Sequence, residues 1–595
     1  MKKSQDKLYD TKLVAKTFFR LLPFQVLMIA ISAVNSIIDS LYASNAIGET
    51  SMSAMGLFAP INHFLYAASM MLVSGSQILF GRYISKDHTR VRSVFSVNLI
   101  ISLAGSLLVS AIMALAALFG WTGVFTDDRA VLDMFNSYLL GQSVGIAPLI
   151  LGQQLFSFLS LENQTKRTTA ASVACLGTNI ALDHLLIVVF HMGTFGLGLA
   201  SAISNWVFLA IQAVYYLAGK SEWKFSLRHC VWRDAGDICL LGYPGALSRF
   251  VEMFRCFIVN SLLLTYAGSA GLASFATSNS LMAVFWAVPF GMVAVGRMLF
   301  SINRGEADRR SLIDAMRVLL LGGMIIMAFI AALIGVLAVP FTRLFCRDLA
   351  SPVYGMTVSG FRILPWCMPL AIVSLTFAAY SQVMEKKAMS LILPITDGAV
   401  GVVLFSFLLI PAMGINGLYI ANILNGVLCA AIITALAWME KKRFPRTVED
   451  LMAIPDSFGV GEDRRMDITV RSMEEVVRIA ERVQQFCLQK QIDPKRAYFV
   501  ALCMEEMAGN IISHGFKMDN KKHSADIRLA CTEDDIIVCM RDDCVAFNPA
   551  EHARILHPND PNDRLKDFGI RMVYSLAKAM NYQNLLDQNV LTIHL

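Results

Sequence analysis

The sequence predicts a membrane all-α protein with twelve transmembrane helices in two related six-helix halves, followed by a C-terminal α+β domain outside the membrane. Three observations support this fold class. The mean hydropathy is +0.56, only 16% of the 595 residues are charged, and the composition becomes polar after Pro445. A soluble globular protein carries more charge and fewer apolar residues, so most of this chain is expected in lipid.

Apolar segments of the length needed to cross a bilayer, about 20 helical residues, recur along the first three quarters of the chain. The leader before them is basic and polar and has no signal-peptide cleavage site, so the first segment is expected to remain as a span. The segments lie near 18–44, 55–80, 94–120, 130–158, 168–190, 195–218, 236–266, 272–300, 312–338, 353–382, 389–410 and 416–438.

Lysine and arginine concentrate in the N-terminal tail and in every second connection between the apolar segments. Basic residues near the ends of spans stay in the cytoplasm. With an even number of spans, the pattern predicts a multi-pass cell (inner) membrane protein with both termini in the cytoplasm. The basic connections lie near 82–92, 166–167, 220–233, 304–310, 386–387 and 441–443.

An internal repeat supports two halves. Met192-Gly193 and the residues after it recur at Met413-Gly414 with a shift of 221 residues, and the pair Leu79-Phe80 recurs with a shift of 220. Six spans per half give both halves the same orientation, with substrate expected between them near the midplane. The predicted division is a tail at 1–17, halves at 18–230 and 231–444, a linker at 445–465 and a soluble domain at 466–595.

The soluble domain alternates helical and strand patterns, which predicts an α+β fold. The predicted strands are 466–470, 526–531, 535–541 and 590–595, and the predicted helices are 474–490, 494–514 and 569–580.

Carboxylates inside apolar spans require a reason, because inserting a charge costs about 2.5–3.5 kcal/mol. Asp39 lies on the first span, and Asp183 on the fifth, one turn after Asn179 on the same face. A carboxylate beside an amide can alternately hold a proton or a small cation. The alternative is a hydrogen bond that locks two helices together.

The segments NSIIDSLYASNAIGETSMSAMGLFAPI and LGTNIALDHLLIVVFHMGTFGLGLASAISN resemble the first, fifth and sixth spans of the multidrug and toxic compound extrusion (MATE) family. The resemblance implies an antiporter that exchanges H⁺ or Na⁺ for small organic solutes or drugs. It also implies that Asp39, Asn179 and Asp183 form the coupling site. Ser201 stands where the family often has threonine.

The second half departs from the family pattern. Glu252 matches an acidic residue that some members carry on the seventh span, but Arg249 and Arg255 flank it on the same face, and an ion pair would make it structural. The tenth span has no aspartate in its apolar interior, so coupling is expected to rest on the first half. Asp397 is expected near a helix end as a capping or interfacial carboxylate, and His184 as a packing neighbour of Asp183.

In the soluble domain, Glu506, Asn510 and His514 share one helix face, which suits a general base beside an Mg²⁺ ligand. A solvated helix face is the alternative for this segment alone. Together with MRDDCVAFNP and DFGIRMVYSL, this ExxxNxxxHGF pattern is similar to anti-sigma-factor serine kinases of the GHKL ATPase superfamily. The resemblance implies ATP and Mg²⁺, with Glu506 catalytic, Asn510 on the metal and nucleotide, Asp542 on the adenine, and Gly569 in the phosphate box.

Three glycines of that family pattern are replaced, by Cys544, Ala546 and Asp567. Glycine permits close backbone approach to a nucleotide, so weak binding, or binding without rapid turnover, is expected. Lys566 and Arg564 are candidates for compensating phosphate contacts, and a solvated loop charge is the alternative. The cysteines are scattered singly, and their spacing suggests neither a disulfide framework nor a zinc site.

These features predict an H⁺- or Na⁺-coupled exporter in membrane lipid, whose cytoplasmic domain binds nucleotide and regulates transport, in contact with a regulatory protein partner. No nucleic-acid partner is expected, and no P-loop motif is present to power transport. Whether the domain is also an enzyme, such as a protein serine kinase, is left open. Two alternatives remain: a flippase for lipid-linked saccharides, and a receptor that signals through its kinase-like domain.

Overall fold

The computed structural model of the protein describes residues 12–47, 49–83, 88–124, 129–162, 164–219, 221, 223–345, 352–456, 458–460, 462–517, 523–531, 535–549, 551, 568–585 and 588–595. Arg564, Lys566 and Asp567 lie outside the described residues, so the predicted phosphate contacts of Lys566 and Arg564 stay predictions.

Long helices form the membrane part, as the apolar segments predict. The first begins at Lys12, inside the predicted tail. The helices are α1 (Lys12–Tyr42), α2 (Glu49–Tyr83), α3 (His88–Leu118), α4 (Arg129–Ser143), α5 (Ile146–Leu161), α6 (Thr165–Asp183), α7 (Gly193–Leu217), α8 (Arg233–Gly305), α9 (Arg309–Arg317), α10 (Gly323–Val336), α11 (Ala338–Phe345), α12 (Pro352–Ile363), α13 (Met368–Val383), α14 (Lys387–Ile395), α15 (Gly401–Met413) and α16 (Ile415–Lys441).

Among the described residues, ten helices are long and apolar enough to cross a membrane, and the bent pair α4 and α5 makes up to eleven. The predicted count of twelve is therefore not confirmed. The predicted seventh span, 236–266, is helical, but Arg249, Glu252 and Arg255 lie close together in it. This charge content distinguishes it from the ten apolar helices. It forms the first part of α8, which breaks at Gly268, where φ is 66°.

The repeated Met-Gly pairs adopt the same backbone conformation. Gly193 and Gly414 have φ values of 57° and 59°, and each stands at the start of a helix, α7 or α16. A positive φ is accessible to glycine at little cost, which explains why both copies of the motif carry this residue.

Among the residues that the structure describes, four wide π-helical turns interrupt or extend the membrane helices. π-Helical turns are rare and often mark functional positions, and here two adjoin or contain an intramembrane carboxylate. One follows Asp183 directly, and another contains Asp397. The four segments are Ala43–Ile47, His184–Val189, Val318–Gly322 and Thr396–Val400.

The C-terminal domain is an antiparallel sheet covered by helices. Its strands, in the order β1-β2-β3-β5-β4, are β1 (Arg465–Val470), β2 (Ala525–Cys531), β3 (Ile536–Asp542), β4 (Ala579–Leu585) and β5 (Gln588–His594). A short helix in the linker, α17 (Val448–Met452), precedes them, and the domain helices are α18 (Met473–Gln489), α19 (Pro494–Ser513) and α20 (Phe568–Leu576).

The predicted helix 569–580 is wrong at its C-terminal end. The helix ends at Leu576, and Ala579–Leu585 forms β4, a strand that the prediction missed. Asparagine is depleted in strands, so Asn581 and Asn584 weaken the strand pattern of this segment in the sequence. Pairing with β5 along the whole segment stabilises it instead.

Candidate functional sites

Three helices bring the predicted coupling residues of the first half together. Asp39 lies on α1, Asn179 and Asp183 on α6, and Ser201 on α7. Asn179 and Asp183 are completely buried, and Asp39 and Ser201 are each 8% exposed. The one-turn spacing on α6 points the amide and the carboxylate to the same neighbouring helices.

The Asn179 amide connects the cluster. Its orientation follows from the surrounding acceptors, which require the nitrogen to face the oxygens. In that orientation, Nδ2 lies 3.0 Å from Asp39 Oδ1, 2.8 Å from Asn35 Oδ1 and 3.1 Å from Asp183 Oδ2. Ser201 Oγ donates to Asp39 Oδ2 over 3.4 Å. Asn35 was missed in the sequence, although it lies one turn before Asp39 on the same helix face.

The two carboxylates share one bridging amide in a dry environment. Asp183 Oδ1 is buried without a hydrogen-bond partner. Two negative charges this close repel each other strongly where water is excluded. A proton or a small hard cation would remove the repulsion, and the oxygen donors suit Na⁺ as well as H⁺.

The backbone around Asp183 is also unusual. Regular α6 ends at this residue and continues as the π-helical turn, whose end is marked by the bond from Phe190 N to Leu185 O at 3.0 Å. His184 is exposed, and its ring lies 6.4 Å from that of Tyr42. The expected role of His184 as a packing neighbour of Asp183 stays a prediction.

Glu252 belongs to a different cluster. Arg249 Nη1 lies 3.0 Å from Glu252 Oε2, and Arg255 Nη2 lies 3.2 Å from Oε1. Both carboxylate oxygens therefore have a cationic partner on the same helix. The structure does not bring Glu252 into hydrogen-bond contact with the Asp39 cluster, as far as the described contacts show. A coupling role for Glu252 stays a prediction, and the ion pairs support the structural alternative.

Asp397 is not near a helix end, so the expectation of a capping or interfacial carboxylate is wrong. It lies in the π-helical turn between α14 and α15, which form one continuous span, 387–413. Ser374 Oγ on α13 and Asn425 Nδ2 on α16 each donate to it over 2.8 Å. The sequence did not reveal this position, because only the packing of α13 and α16 against the 387–413 span shows that Asp397 lies inside the helix bundle.

Helices α2 and α8 meet closely at the end of the bundle that carries Arg82 and Arg304, here called the basic end. A Cβ placed on Gly75 of α2 would overlap the carbonyl oxygen of Ile238, and one on Gly242 of α8 would overlap that of Met71. Small residues at these positions let the two backbones touch. We call this contact the α2–α8 seam.

Charges reinforce the closure at the basic end. Glu385, which follows α13, forms ion pairs with Arg82 of α2 and with Arg304 of α8, the latter over 2.6 Å. Arg82 and Glu385 lie in different halves of the sequence. The seam and this charge cluster together hold the basic end shut.

In the C-terminal domain, Glu506 and Asn510 lie half-buried on α19, as predicted, whereas His514 is exposed. Gly569 at the start of α20 faces Glu506, and a Cβ on Gly569 would overlap the Glu506 carboxylate. A larger residue than glycine at this position of the phosphate box would therefore displace the Glu506 side chain.

Asp542 ends β3 and is almost completely buried. Its Oδ1 accepts from Asn589 Nδ2 over 2.7 Å and from the Cys544 backbone N–H over 2.9 Å. Burial raises the pKa of Asp542, although these hydrogen bonds oppose the rise. Asn589 was missed in the sequence; only its pairing with Asp542 across β3 and β5 reveals it.

These residues fit a magnesium nucleotide at the catalytic end. The Asn510 amide oxygen and the Glu506 carboxylate share a helix face, and both are oxygen donors of the kind that Mg²⁺ uses. At the adenine end, one oxygen of Asp542 is already engaged by Asn589. The arrangement is therefore compatible with nucleotide binding, with a weaker adenine contact than an unengaged carboxylate would provide.

The C-terminal domain docks on the loop between α8 and α9. Arg541 binds Glu306, lies 2.9 Å from Asp308 Oδ2, and donates to Ser311 Oγ over 2.6 Å. Arg528 Nη1 lies 3.1 Å from Asp308 Oδ1. Burial tends to raise the pKa of Asp308, but Arg528 and Arg541 outweigh it, so that its pKa lies below its ordinary value.

The same domain also contacts α1. Lys16 forms an ion pair with Asp543, and Gln588 donates to Thr17 Oγ1 over 2.5 Å. Arg541 and Asp543 flank Asp542 in the sequence. The predicted adenine-binding segment is thus attached on one side to α1 and on the other to the loop after α8.

Two family models match the chain. The model described as MatE matches residues 25–185, and the model described as histidine kinase-like ATPase domain matches residues 469–595.

Curated relatives are similar to the membrane part. A probable multidrug resistance protein NorM of Photorhabdus laumondii is 21% identical over 340 residues, covering 56% of this chain and 73% of that protein. A multidrug export protein MepA of Staphylococcus saprophyticus is 23% identical over 416 residues, covering 67% and 87%. A probable NorM of Haemophilus ducreyi is 28% identical, over 43% of its own length.

Solved structures share the fold of the membrane part. A MATE crystal structure in complex with MaL6 has a TM-score of 0.68 at 21% identity, covering 74% of this chain and 98% of that chain. An outward-facing multidrug resistance MATE family transporter has a TM-score of 0.67 at 22% identity, covering 73% and 97%. The chain is thus a multi-pass membrane protein that joins a MATE-family domain to a C-terminal histidine kinase-like ATPase domain.

Proposed function

We propose that the protein is an H⁺- or Na⁺-coupled antiporter that exports small organic solutes across the cell membrane, and that its cytoplasmic ATPase domain regulates this transport. The observation that carries the proposal is the buried cluster of Asp39, Asn179 and Asp183, in which two carboxylates share one amide. The names of the relatives, which refer to multidrug resistance and export, support the class of solute.

The coupling step follows from the electrostatics of the cluster. A cation that reaches Asp183 Oδ1 neutralises the repulsion with Asp39 and draws α1, α6 and α7 together. The wide π-helical turn directly follows α6 after Asp183. At this turn, α6 and the residues beyond the turn can shift relative to each other. Release of the cation restores the repulsion and favours the other arrangement of the three helices.

The basic end is the cytoplasmic side by the positive-inside rule. The α2–α8 seam and the cluster of Arg82, Arg304 and Glu385 close that side. The conformation is therefore closed toward the cytoplasm, and solute uptake for export requires the seam to open. An alternating-access cycle then opens and closes the two sides in turn.

The ATPase domain is placed to control that opening. It contacts the first half through Lys16 and the second half through Glu306 and Asp308, both at the basic end. Separation of the halves would strain or break one set of these contacts, so the docked domain opposes opening. Because Arg541 and Asp543 flank Asp542, nucleotide at the adenine site would alter the docking.

The ion gradient is the proposed energy source, and the domain binds ATP with Mg²⁺ at Glu506 and Asn510 with slow or no turnover. A regulatory protein that competes for the docking surface is a further expected partner. The flippase alternative needs an arginine-lined cavity, and it is not favoured because Arg249 and Arg255 are paired with Glu252. The receptor alternative predicts phosphotransfer without gradient-driven flux.

The coupling proposal is tested by flux in proteoliposomes under an imposed pH or Na⁺ gradient, with ethidium as a fluorescent probe. Asp39→Asn and Asp183→Asn should each reduce gradient-driven flux to background, because the amide keeps the shape but cannot exchange a proton or balance a cation. Asp133→Asn changes an exposed carboxylate and serves as the matched control.

Correct insertion is checked from the size-exclusion profile of each purified variant. Wild-type flux in both Asp39→Asn and Asp183→Asn would refute coupling at this cluster. Gradient-independent flux that requires ATP hydrolysis, and that is lost in Glu506→Ala, would identify the ATPase domain as the energy source instead.

A further inference from the structure

Three potential metal ligands converge beside the predicted adenine-binding segment, and one of them, Asp543, also takes part in the proposed docking to α1. One ligand atom each of His523, Asp543 and Cys544 lies within 4.8 Å of the others. His523 Nδ1 is 3.0 Å from Asp543 Oδ1, and the two side chains are only 2% and 5% exposed. The three residues are half-buried as a whole, and the cluster is compact before any metal binds.

The strand register explains why these residues meet. In the antiparallel pair of β2 and β3, Ala525 lies opposite Asp542. His523 lies two residues before Ala525, and Asp543 and Cys544 directly follow Asp542, so the end of this strand pair brings the three residues together. The backbone bends at Cys544, so the alternation of faces along β3 no longer holds there. The sequence separation conceals this juxtaposition, which is why cysteine spacing gave no sign of it.

Neighbouring groups hold the ligands in place. The Cys544 N–H donates to Asp542, and the Cys544 carbonyl accepts from Asn589 over 3.2 Å. The Cys544 thiol lies against Gly515, where an added Cβ would stand 3.1 Å from Sγ. Supporting contacts of this kind orient ligands and raise metal affinity.

We propose that His523, Asp543 and Cys544 form a binding site for a divalent transition metal, most suitably Zn²⁺. An imidazole nitrogen, a carboxylate oxygen and a thiolate sulfur are the three donor types that Zn²⁺ uses, and three protein ligands leave one position for water or a further group. The cysteine that replaces a glycine of the adenine box supplies the soft ligand. The site is distinct from the Mg²⁺ position at Asn510.

Binding would compete with the contact between the ATPase domain and α1. Lys16 forms an ion pair with Asp543, and its side chain is 45% exposed. A metal on the Asp543 carboxylate repels the lysine, so Zn²⁺ should loosen this half of the docking.

The test uses the full-length protein in detergent, stripped of metal with a chelator. Zn²⁺ is titrated in competition with a chromophoric chelator, and Co²⁺ is titrated separately to detect thiolate-to-cobalt charge-transfer absorption. We expect one site of this kind. Cys544→Ser and His523→Ala should weaken Zn²⁺ binding at least about tenfold, and Cys544→Ser should remove the thiolate absorption.

Matched controls are Cys256→Ser and His514→Ala, which change an exposed cysteine and the exposed histidine of α19's C-terminus. Both should bind Zn²⁺ like the wild type. Lys16→Gln should tighten binding several-fold, because it removes the competing cation. Lys16 lies in α1, so this substitution changes no residue of the ATPase domain itself.

The Co²⁺ spectrum of the wild-type protein tests for a thiolate ligand even if a ligand variant fails to fold. Absence of thiolate absorption in the wild type, or Zn²⁺ binding that survives both Cys544→Ser and His523→Ala, would overturn the site. Unchanged affinity in Lys16→Gln would overturn the competition with docking.

Discussion

A single carboxylate in the second half, Asp397, illustrates how much one residue's role depends on its partners. Ser374 and Asn425 both donate to it, from two different helices. Because two donors converge on one group, the carboxylate ties α13, the 387–413 span and α16 together. A buried donor that loses its acceptor costs about 1–3 kcal/mol.

We expect Asp397→Asn to lower the unfolding temperature of the purified protein while leaving gradient-driven ethidium flux per folded molecule largely intact. The amide presents only one acceptor to two donors, so one hydrogen bond is lost. Thermal unfolding in detergent and proteoliposome flux measure the two effects. Asp133→Asn again provides the control. Loss of flux at unchanged stability would show instead that Asp397 is part of ion coupling.

Gly569 shows how tightly one residue of the nucleotide site is packed. Gly569→Ala should destabilise the ATPase domain by about 1–3 kcal/mol, because the added methyl overlaps the Glu506 carboxylate. Binding of a fluorescent ATP analogue to the full-length protein should fall at the same time, since Glu506 must move.

Gly509→Ala on α19 is the matched control for Gly569→Ala. Its new methyl would stand 3.1 Å from the end of the Met473 side chain, a contact that a small shift relieves, whereas the methyl of Gly569→Ala overlaps the Glu506 carboxylate outright. If Gly569→Ala proves as stable as Gly509→Ala, the contact between Glu506 and Gly569 is not present in solution.

At the scale of elements, the α2–α8 seam depends on glycines that face a backbone. Gly242→Ala should open it, because the methyl overlaps the carbonyl of Met71 and cannot be relieved by a rotamer change. Cys239 lies one turn away on α8 and is partly buried. We expect faster maleimide labelling at Cys239, measured by peptide mapping, together with altered ethidium flux.

Gly236→Ala is the control for the seam, because a Cβ there meets nothing within 4 Å. Labelling of Cys239 should then match the wild type. Equal labelling in Gly242→Ala and Gly236→Ala would mean that the seam is not the closed contact of the transport cycle.

At the scale of the whole molecule, the arginines that dock the ATPase domain offer the sharpest test of regulation. The double variant Arg528→Ala with Arg541→Ala removes the two arginine partners of Asp308. The Asp308 carboxylate then either stays buried without a cationic partner or reaches water because the ATPase domain separates from the membrane part. Breaking a buried ion pair on one side costs about 3–5 kcal/mol. We therefore expect release of the domain, with faster proteolysis in the linker 445–465 and increased ethidium flux.

Lys578→Ala is the matched control within the same domain, because Lys578 pairs with Asp535 at an exposed site, with 58% of the lysine side chain accessible. A chain ending after Pro445 should likewise retain gradient-driven flux. Complete loss of flux in the truncated, correctly inserted protein would contradict a purely regulatory role.

The sequence by itself determined the class of the molecule and the identity of its two domains. Long apolar segments must become helices in lipid, because every backbone polar group has to be satisfied within its own segment. Motif spacing on one helix was equally informative: Asn179 with Asp183, and Glu506 with Asn510, share faces that helical periodicity alone fixes. The short-range patterns also predicted all described strands except β4.

Only the tertiary structure decided which distant residues meet. Asp39 and Ser201 are 162 positions apart, and their contact depends on how α1 and α7 pack. The same is true of Asp397 with Asn425, of His523 with Cys544 across a strand pair, and of Arg541 with Asp308 between domains. Local periodicity specifies the face on which a side chain lies, but not the element that will cover it, because that choice is made by packing over the whole chain.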